Sequence, residues 1–326
     1  MSTFGYLLPT RGSVLGSDDP GTLAAKTEAD VVGLARRAEA LGLDSVWVGD
    51  SVLAKPRHDP FTTLAAVATA TEAVDLGTAV HLPVLRHPVH VAHRTATLDQ
   101  LAGGRLRWGV GVGSGSDVEA EYAALGVPFE ERGARLDELL DVVTALWSGD
   151  PVDYDGAFYQ LEAASIGFSP TSSPPIYLAT AAFDPDVGVP RPIEDRLVAH
   201  GSGWLPISLS PADYAEGLGA VRSSLEDAGR SADALDPALY LDVVIGADEA
   251  DAIETARGFY EAYYTAWDHP LSDDAVRSHG AFGPAEAVAG TIEAYADAGV
   301  ETVVVRFAAP DQRAQLRRFV DGVLRA

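Results

Sequence analysis

The sequence contains no cysteine, which excludes disulfides, thiolate nucleophiles, iron–sulfur clusters and cysteine-ligated zinc. Any redox chemistry must therefore come from a bound organic cofactor or from a metal held by other ligands. Lysine is nearly absent too, occurring only at Lys26 and Lys55. Lys and Arg together number 23 against 48 Asp and Glu, a formal net charge of −25. Such a field repels nucleic acid and anionic membranes, so neither is an expected partner. The acidic residues are scattered through helical segments rather than gathered in a tail. That is the pattern of a uniformly acidic folded surface, as in halophilic proteins or in ordinary acidic proteins of GC-rich genomes. Hydrophobic residues make up 47% of the chain, yet no run approaches the roughly 18 apolar residues of a spanning helix. The first eight residues show no basic region and no small-residue cleavage site, so the expectation is a cytoplasmic protein. No G-x-S-x-G elbow and no Gly-Lys-Ser/Thr phosphate loop occur.

What is present is alternation. Short apolar runs at 4–8, 45–49, 76–82, 107–112, 176–179, 203–205, 239–245 and 302–307 are separated by segments of helical periodicity, the signature of βα units. The run at 203–205 is the faintest. Val31, Leu34, Ala35, Ala38 and Leu41 recur at helical spacing until Gly42 offers a stop, and Leu136, Leu139, Leu140, Val143, Leu146 and Trp147 line one face of an outer helix. Eight strands with intervening helices predict an α/β fold, a (β/α)8 TIM barrel occupying residues 1–326 as one domain. Two stretches break the rhythm and read as loop insertions, at 150–175 with a hairpin-like centre and at 183–192, rich in proline and aspartate. Substrate contacts are expected from both.

Four blocks carry a family resemblance. The first is AEALGLDSVWVGD at 38–50. The second runs from Leu76-Gly77-Thr78 through Arg86-His87-Pro88 to TLDQLAGGRL at 97–106, then into Gly109-Val110-Gly111-Val112-Gly113 and LGVPFEERG at 125–133. GSGWLP at 201–206 forms the third, and GPAE at 283–286 with YADAGV at 295–300 the fourth. Together they resemble the luciferase-like superfamily of flavin monooxygenases and deazaflavin-dependent dehydrogenases and reductases. The resemblance implies a barrel whose redox partner is coenzyme F420, with FMN as the alternative, a small organic substrate and a homodimer. F420-dependent hydride exchange is the first expectation. An FMN-dependent monooxygenase and a non-catalytic flavin-binding barrel are the competing ones.

Barrel chemistry sits at the C-terminal ends of strands, which selects Asp50 and Ser51 as cofactor or substrate contacts, with a turn-capping aspartate as the other reading of Asp50. Deazaflavin relatives usually carry a histidine where this chain has Ser51, and serine cannot shuttle a proton near neutrality. The resemblance places a non-proline cis peptide in Thr78-Ala79-Val80, between Ala79 and Val80, behind the cofactor ring; an ordinary buried trans strand is the alternative. His81 follows, as a catalytic group or as a buried structural histidine. Gly109, Gly111, Gly113 and Gly115 miss the dinucleotide motif because Ser114 and Ser116 stand where its last glycine belongs. Gly111, Gly113 and Ser114 instead let a flat ring approach the backbone, or let the barrel pack closely. Backbone amides of Ala179-Thr180-Ala181-Ala182 are expected at the phosphate or ribityl end, where amides bind an anion without lysine. His87, His90 and His93 lack a carboxylate or cysteine to complete a ligand set, so no metal is expected, and Pro88 after His87 marks a helix start.

Overall fold

Runs of β-branched and aromatic residues form the strands, and the amphipathic segments after them form the covering helices. A computed structural model describes residues 2–11, 30–180, 188–264 and 270–325. The order begins β1 (Thr3–Leu7), α1 (Val31–Leu41), β2 (Ser45–Val48), α2 (Pro60–Ala68), β3 (Asp75–Thr78), α3 (Pro88–Leu101) and β4 (Leu106–Val110). It continues with α4 (Ser116–Ala124), α5 (Arg132–Leu146), β5 (Val152–Asp155), β6 (Gln160–Ala164), β7 (Ile176–Thr180), α6 (Arg191–His200), β8 (Gly203–Pro206) and α7 (Pro211–Asp227). The last part is β9 (Asp236–Ile245), α8 (Glu249–Tyr263), α9 (Asp273–Arg277), β10 (Gly280–Gly283), α10 (Ala285–Asp297), β11 (Thr302–Phe307) and α11 (Gln312–Phe319). Parallel pairing runs β11-β1-β2-β3-β4-β7-β8-β9, and β9 pairs back to β11, closing the eight-stranded barrel that the alternation predicts. Gly42 ends α1 in the left-handed conformation (φ 93°), and Pro88 opens α3 with His87 as its N-cap.

Large and small residues interdigitate inside the barrel. Trp47 and Tyr177 meet edge to face at 5.5 Å, both fully buried. They fit because glycines face them: a Cβ on Gly77 would lie 2.1 Å from the Trp47 ring, and one on Gly203 would lie 2.2 Å from the Tyr177 ring. The N-terminal end is closed by a polar plug in which Tyr177 donates to Asp236 (2.6 Å) and Arg107 bonds both Asp75 and Tyr177. That leaves the opposite end open for chemistry.

Several details differ from the sequence expectation. Strand three ends at Thr78 rather than at residue 82; the chain then leaves the ladder, and His81 rejoins β4 by a single bridge to Val110. The segment 203–205, faint in sequence, is a wholly buried strand. β10 was not foreseen: it is four residues long, two of them glycine, and it pairs with the C-terminal half of β9 outside the barrel ring. Within the first insertion β5 and β6 form an antiparallel hairpin, bound to α5 where Glu138 accepts the N–H groups of Ala157, Phe158 and Tyr159. Of the second, residues 183–187 lie outside the described residues, and 191–192 already belong to α6. No helix among the described residues is long and apolar enough to cross a membrane.

Candidate active site

A cavity of about 560 Å³ opens at the C-terminal ends of the strands. One wall is the bulge after β3. The peptide bond between Ala79 and Val80 is cis, as the resemblance implies. Strand β4 holds the bulge in place: Thr78 Oγ1 and His81 N both donate to the Gly109 carbonyl (2.6 and 2.9 Å), and Gly111 N donates to the His81 carbonyl (3.0 Å). Only glycine allows this approach. A Cβ on Gly109 would lie 1.9 Å from the Thr78 carbonyl oxygen, and one on Gly111 would lie 2.9 Å from Val80 Cγ2.

Asp50 follows β2 by two residues and lies against this bulge. Its carboxylate accepts from Leu82 N (3.0 Å) and is gripped in a fork by Arg86, whose Nη2 reaches Oδ1 at 2.9 Å while Nη1 bonds Oδ2. Burial pushes the carboxyl up, but the His81 ring, the Arg86 guanidinium and the Leu82 N–H together hold it below the usual aspartate value. His81 lies directly behind, its Nε2 3.8 Å from Asp50 Oδ2. Trp108 Nε1 donates to its Nδ1 (3.1 Å), which assigns the ring proton to Nε2 in the neutral form. Burial holds the imidazole down to about 3, against the pull of Asp50. His81 is fully buried against Phe61 and Trp108 and does not line the cavity. Of the two readings of His81, this favours the buried structural one over the catalytic one: the ring does not line the cavity, and among the described residues its Nε2 finds no hydrogen-bond partner.

A pH dependence follows from that burial. An unfolded histidine takes up a proton near pH 6.5, while the folded His81 refuses it until about pH 3. Its contribution to stability is therefore complete above about pH 6.5 and is lost as pH falls, at up to about 1.4 kcal/mol per pH unit. Urea unfolding between about pH 7.5 and 4.5 should show this slope, and His81→Gln should flatten it relative to wild type. Equal slopes in the two proteins would refute the assignment.

The loop after β2 folds over Glu121 of α4. This carboxylate, 1% exposed, accepts from Leu53 N (2.7 Å), Val52 N and Ser51 Oγ (3.3 Å). Across the cavity, register places Arg306 of β11 beside Asp242 of β9, and their side chains form a buried bidentate pair. Tyr260 donates to Asp242 (2.6 Å), and Arg306 also bonds the Tyr264 hydroxyl. Near this pair stand Lys55 and Arg57. Arg57 Nη1 occupies the space over Gly49, where a Cβ would come within 2.0 Å of it.

Of the residues selected from sequence, Asp50, Ser51, Ala79, Val80, Gly111, Gly113, Ser114, Ala179 and Thr180 all line this cavity. Thr78 does not; it is wholly buried and secures the bulge from behind. Ala181 and Ala182 lie outside the described residues. Asp50 caps no local turn, since its partners lie on the segment after β3. None of the hairpin insertion borders the cavity, so the expected substrate contacts there are corrected: the hairpin is committed to α5. His87 caps α3 through Nδ1, and His93 packs edge to face on Phe168. Sequence reasoning missed Glu121, Arg57, Asp242, Arg306, Tyr263 and His279, all of which line the cavity. Asp242 and Arg306 carried a signal, because each is a charge flanked by apolar residues inside a strand.

The comparisons with known proteins agree with this geometry. The family model for luciferase-like monooxygenase matches residues 2–302. The F420-dependent glucose-6-phosphate dehydrogenase of Nocardia farcinica (strain IFM 10152) is 33% identical over 310 residues, covering 90% of this chain and 85% of that protein. The protein of the same name from Amycolatopsis mediterranei (strain U-32) is 31% identical over 315 residues, covering 90% and 93%. A solved F420-dependent secondary alcohol dehydrogenase in complex with an F420-acetone adduct shares the fold, with a TM-score of 0.80 and 21% identity over 99% of this chain and 98% of that one. A match through residues 2–302 and one-third identity across nine-tenths of the sequence lead to one assignment: the chain belongs to the luciferase-like monooxygenase family.

Proposed function

We infer that the cavity is the active site of an F420-dependent oxidoreductase that exchanges a hydride with the carbinol or carbonyl carbon of a small organic substrate. The observation that carries this is the bulge after β3, held against Gly109 and Gly111 and forming one wall of a cavity at the catalytic end of the barrel. The curated relatives that cover nine-tenths of the chain are F420-dependent dehydrogenases by name, which supports the choice of cofactor and of a hydroxyl-bearing substrate.

The residues fit such a group. A flat ring needs an apolar slot with few polar contacts, and Leu7, Ala79, Val80, Val112 and Leu205 supply the slot, with Gly111 and Gly113 leaving its side open. Asp50 and Ser51 would meet the ring edge and substrate, Ser114 the neighbouring polar edge, and Ala179 and Thr180 the ribityl end. When bound, F420 supplies two-electron hydride chemistry. The protein's part is to hold and shield: Asp50 keeps a fixed negative charge at the mouth, Arg86 and the Leu82 N–H keep it oriented, and the apolar wall excludes water. We place this activity in a single cytoplasmic domain working as a homodimer.

Titrating cofactor-free protein with each coenzyme tests the reading. F420 should bind more tightly than FMN and raise the melting temperature, because a ligand specific to the folded state stabilises it by mass action. A tight FMN complex with no F420 complex would replace this reading with the monooxygenase one.

A further inference from the structure

The cavity lacks a histidine at position 51, and each of its carboxylates is committed: Asp50 to Arg86 and Leu82 N, Glu121 to the amides of Val52 and Leu53, Asp242 to Arg306 and Tyr260. A dehydrogenase still needs a group to take the hydroxyl proton. Tyr263, the last residue of α8, borders the cavity. Its hydroxyl oxygen accepts from Arg57 Nη2 at 3.1 Å. Arginine only donates, so the phenol's own hydrogen points elsewhere, and among the described residues no side chain or carbonyl takes it. The ring is fixed by stacking on Phe259 (5.1 Å) and beneath the Arg11 guanidinium, 4.3 Å from its centroid.

We propose that the Tyr263 phenol is the acid/base group of this site, accepting the substrate hydroxyl proton during oxidation and returning it during reduction. This rests on the F420 reading above. In the oxidation the substrate O–H bond breaks and the Tyr263 O–H bond forms. The adjacent C–H bond breaks, its hydrogen and electron pair pass to the deazaflavin, and the substrate carbon becomes a carbonyl. Substrate is oxidised and deazaflavin reduced, with no other reactant.

The surroundings favour a phenolate. Facing Tyr263 are Arg11 after β1, Lys55 and Arg57 after β2, and Arg306 of β11. Two of these cations share their charge with a carboxylate, Arg306 with Asp242 and Lys55 with Asp117 (3.9 Å), whereas among the described residues Arg11 and Arg57 have none. Burial raises the phenol, but the four cations outweigh it and hold Tyr263 below the usual tyrosine value. Nine of the eleven tyrosines are shifted the other way, each with burial as the leading cause, so Tyr263 should ionise before any of those nine. The other titratable rings at the cavity are Tyr240, Tyr264 and His279: burial holds both phenols above the usual tyrosine value, including Tyr264 at 4.8 Å from the Tyr263 ring, and Ser208 Oγ lies 3.2 Å from His279 Nδ1.

The experiment compares wild type, Tyr263→Phe and His279→Gln; phenylalanine keeps the ring stacking. In cofactor-free protein, phenolate absorption followed against pH should show one early-ionising tyrosine that Tyr263→Phe abolishes. With F420 and a working substrate, Tyr263→Phe should lose about a hundredfold in kcat, together with the limb of the oxidation profile that rises with pH, at unchanged F420 affinity and melting temperature. Near-wild-type kcat with the limb intact, a limb that disappears in His279→Gln instead, or the absence of an early-ionising tyrosine would each overturn the proposal. A wild-type protein that binds no F420 counts against the cofactor reading instead, and the cofactor-free titration still decides whether Tyr263 ionises first.

Discussion

Asp50→Asn should lower turnover by about a hundredfold or more and cost about 2–3 kcal/mol of stability while leaving the cofactor bound. The two effects have different origins. Asparagine can still accept the Leu82 N–H, but it cannot neutralise Arg86. Breaking a buried ion pair typically costs about 3–5 kcal/mol. The lower figure applies because the Arg86 side chain is 15% exposed and keeps Asp59 at 3.8 Å. The loss of turnover is the scale seen when one preorganised charge is removed from a site. A double variant separates them. Asp50→Asn with Arg86→Met removes the orphaned cation and should recover most of the melting temperature, yet it should not recover kcat. If turnover returns with stability, Asp50 serves only to anchor the segment after β3 and has no part in the reaction.

Gly109→Ala should be worse for the fold than any conservative core change. The new Cβ would sit 1.9 Å from the Thr78 carbonyl oxygen, which is backbone and cannot rotate away as a side chain would. Relief requires β3 and β4 to separate, and the same movement breaks the bonds from Thr78 Oγ1 and His81 N to the Gly109 carbonyl. Overpacking in a rigid core costs about 1–3 kcal/mol where side chains can yield, so about 3 kcal/mol or more is expected here, with F420 affinity down at least about tenfold as the bulge shifts. Gly258→Ala is the control. It lies in α8 with nothing within 4 Å of its Cβ position, and should raise stability by up to about 1 kcal/mol. A Gly109→Ala protein with wild-type melting temperature and affinity would show that the close approach of β3 and β4 is not what shapes the wall.

The difference between what sequence reveals and what it conceals is a difference of range. β11 was legible to the residue because the β-branched run from Thr302 to Val305, closed by Phe307, declares itself locally, and α1 because its cap and its stripe lie within a dozen residues. The Ala79–Val80 cis bond was legible only through the resemblance of its block, since neither residue type announces it. Asp50 could be placed at the mouth, but its partner lies 36 positions away, and nothing in Arg86 marks it as the one that closes the fork. Glu121 is harder still. It shares α4 with Asp117 and Glu119, and no local pattern tells the carboxylate that turns inward from those that meet solvent. Tyr263 was missed because a tyrosine at a helix end is commonplace, and its character comes from Arg11, Lys55 and Arg57, two loops distant in sequence. His81 was left open for a related reason: its place beside the bulge was right, and only packing could choose the structural reading by showing that Phe61 and Trp108 seal it off.

The concentration of cations at the cavity also divides the molecule's electrostatics into two ranges. From a distance an approaching anion meets a body of net charge −25; at the cavity it meets Arg57, with Lys55 beside it. Mobile salt screens interactions beyond about 10 Å at 0.1 M and acts much less on partly buried groups at contact. Rising ionic strength therefore removes the distant barrier while sparing most of the nearby attraction. Anionic ligands should then associate faster in salt, the reverse of the dependence expected where an enzyme and its ligand carry opposite net charge.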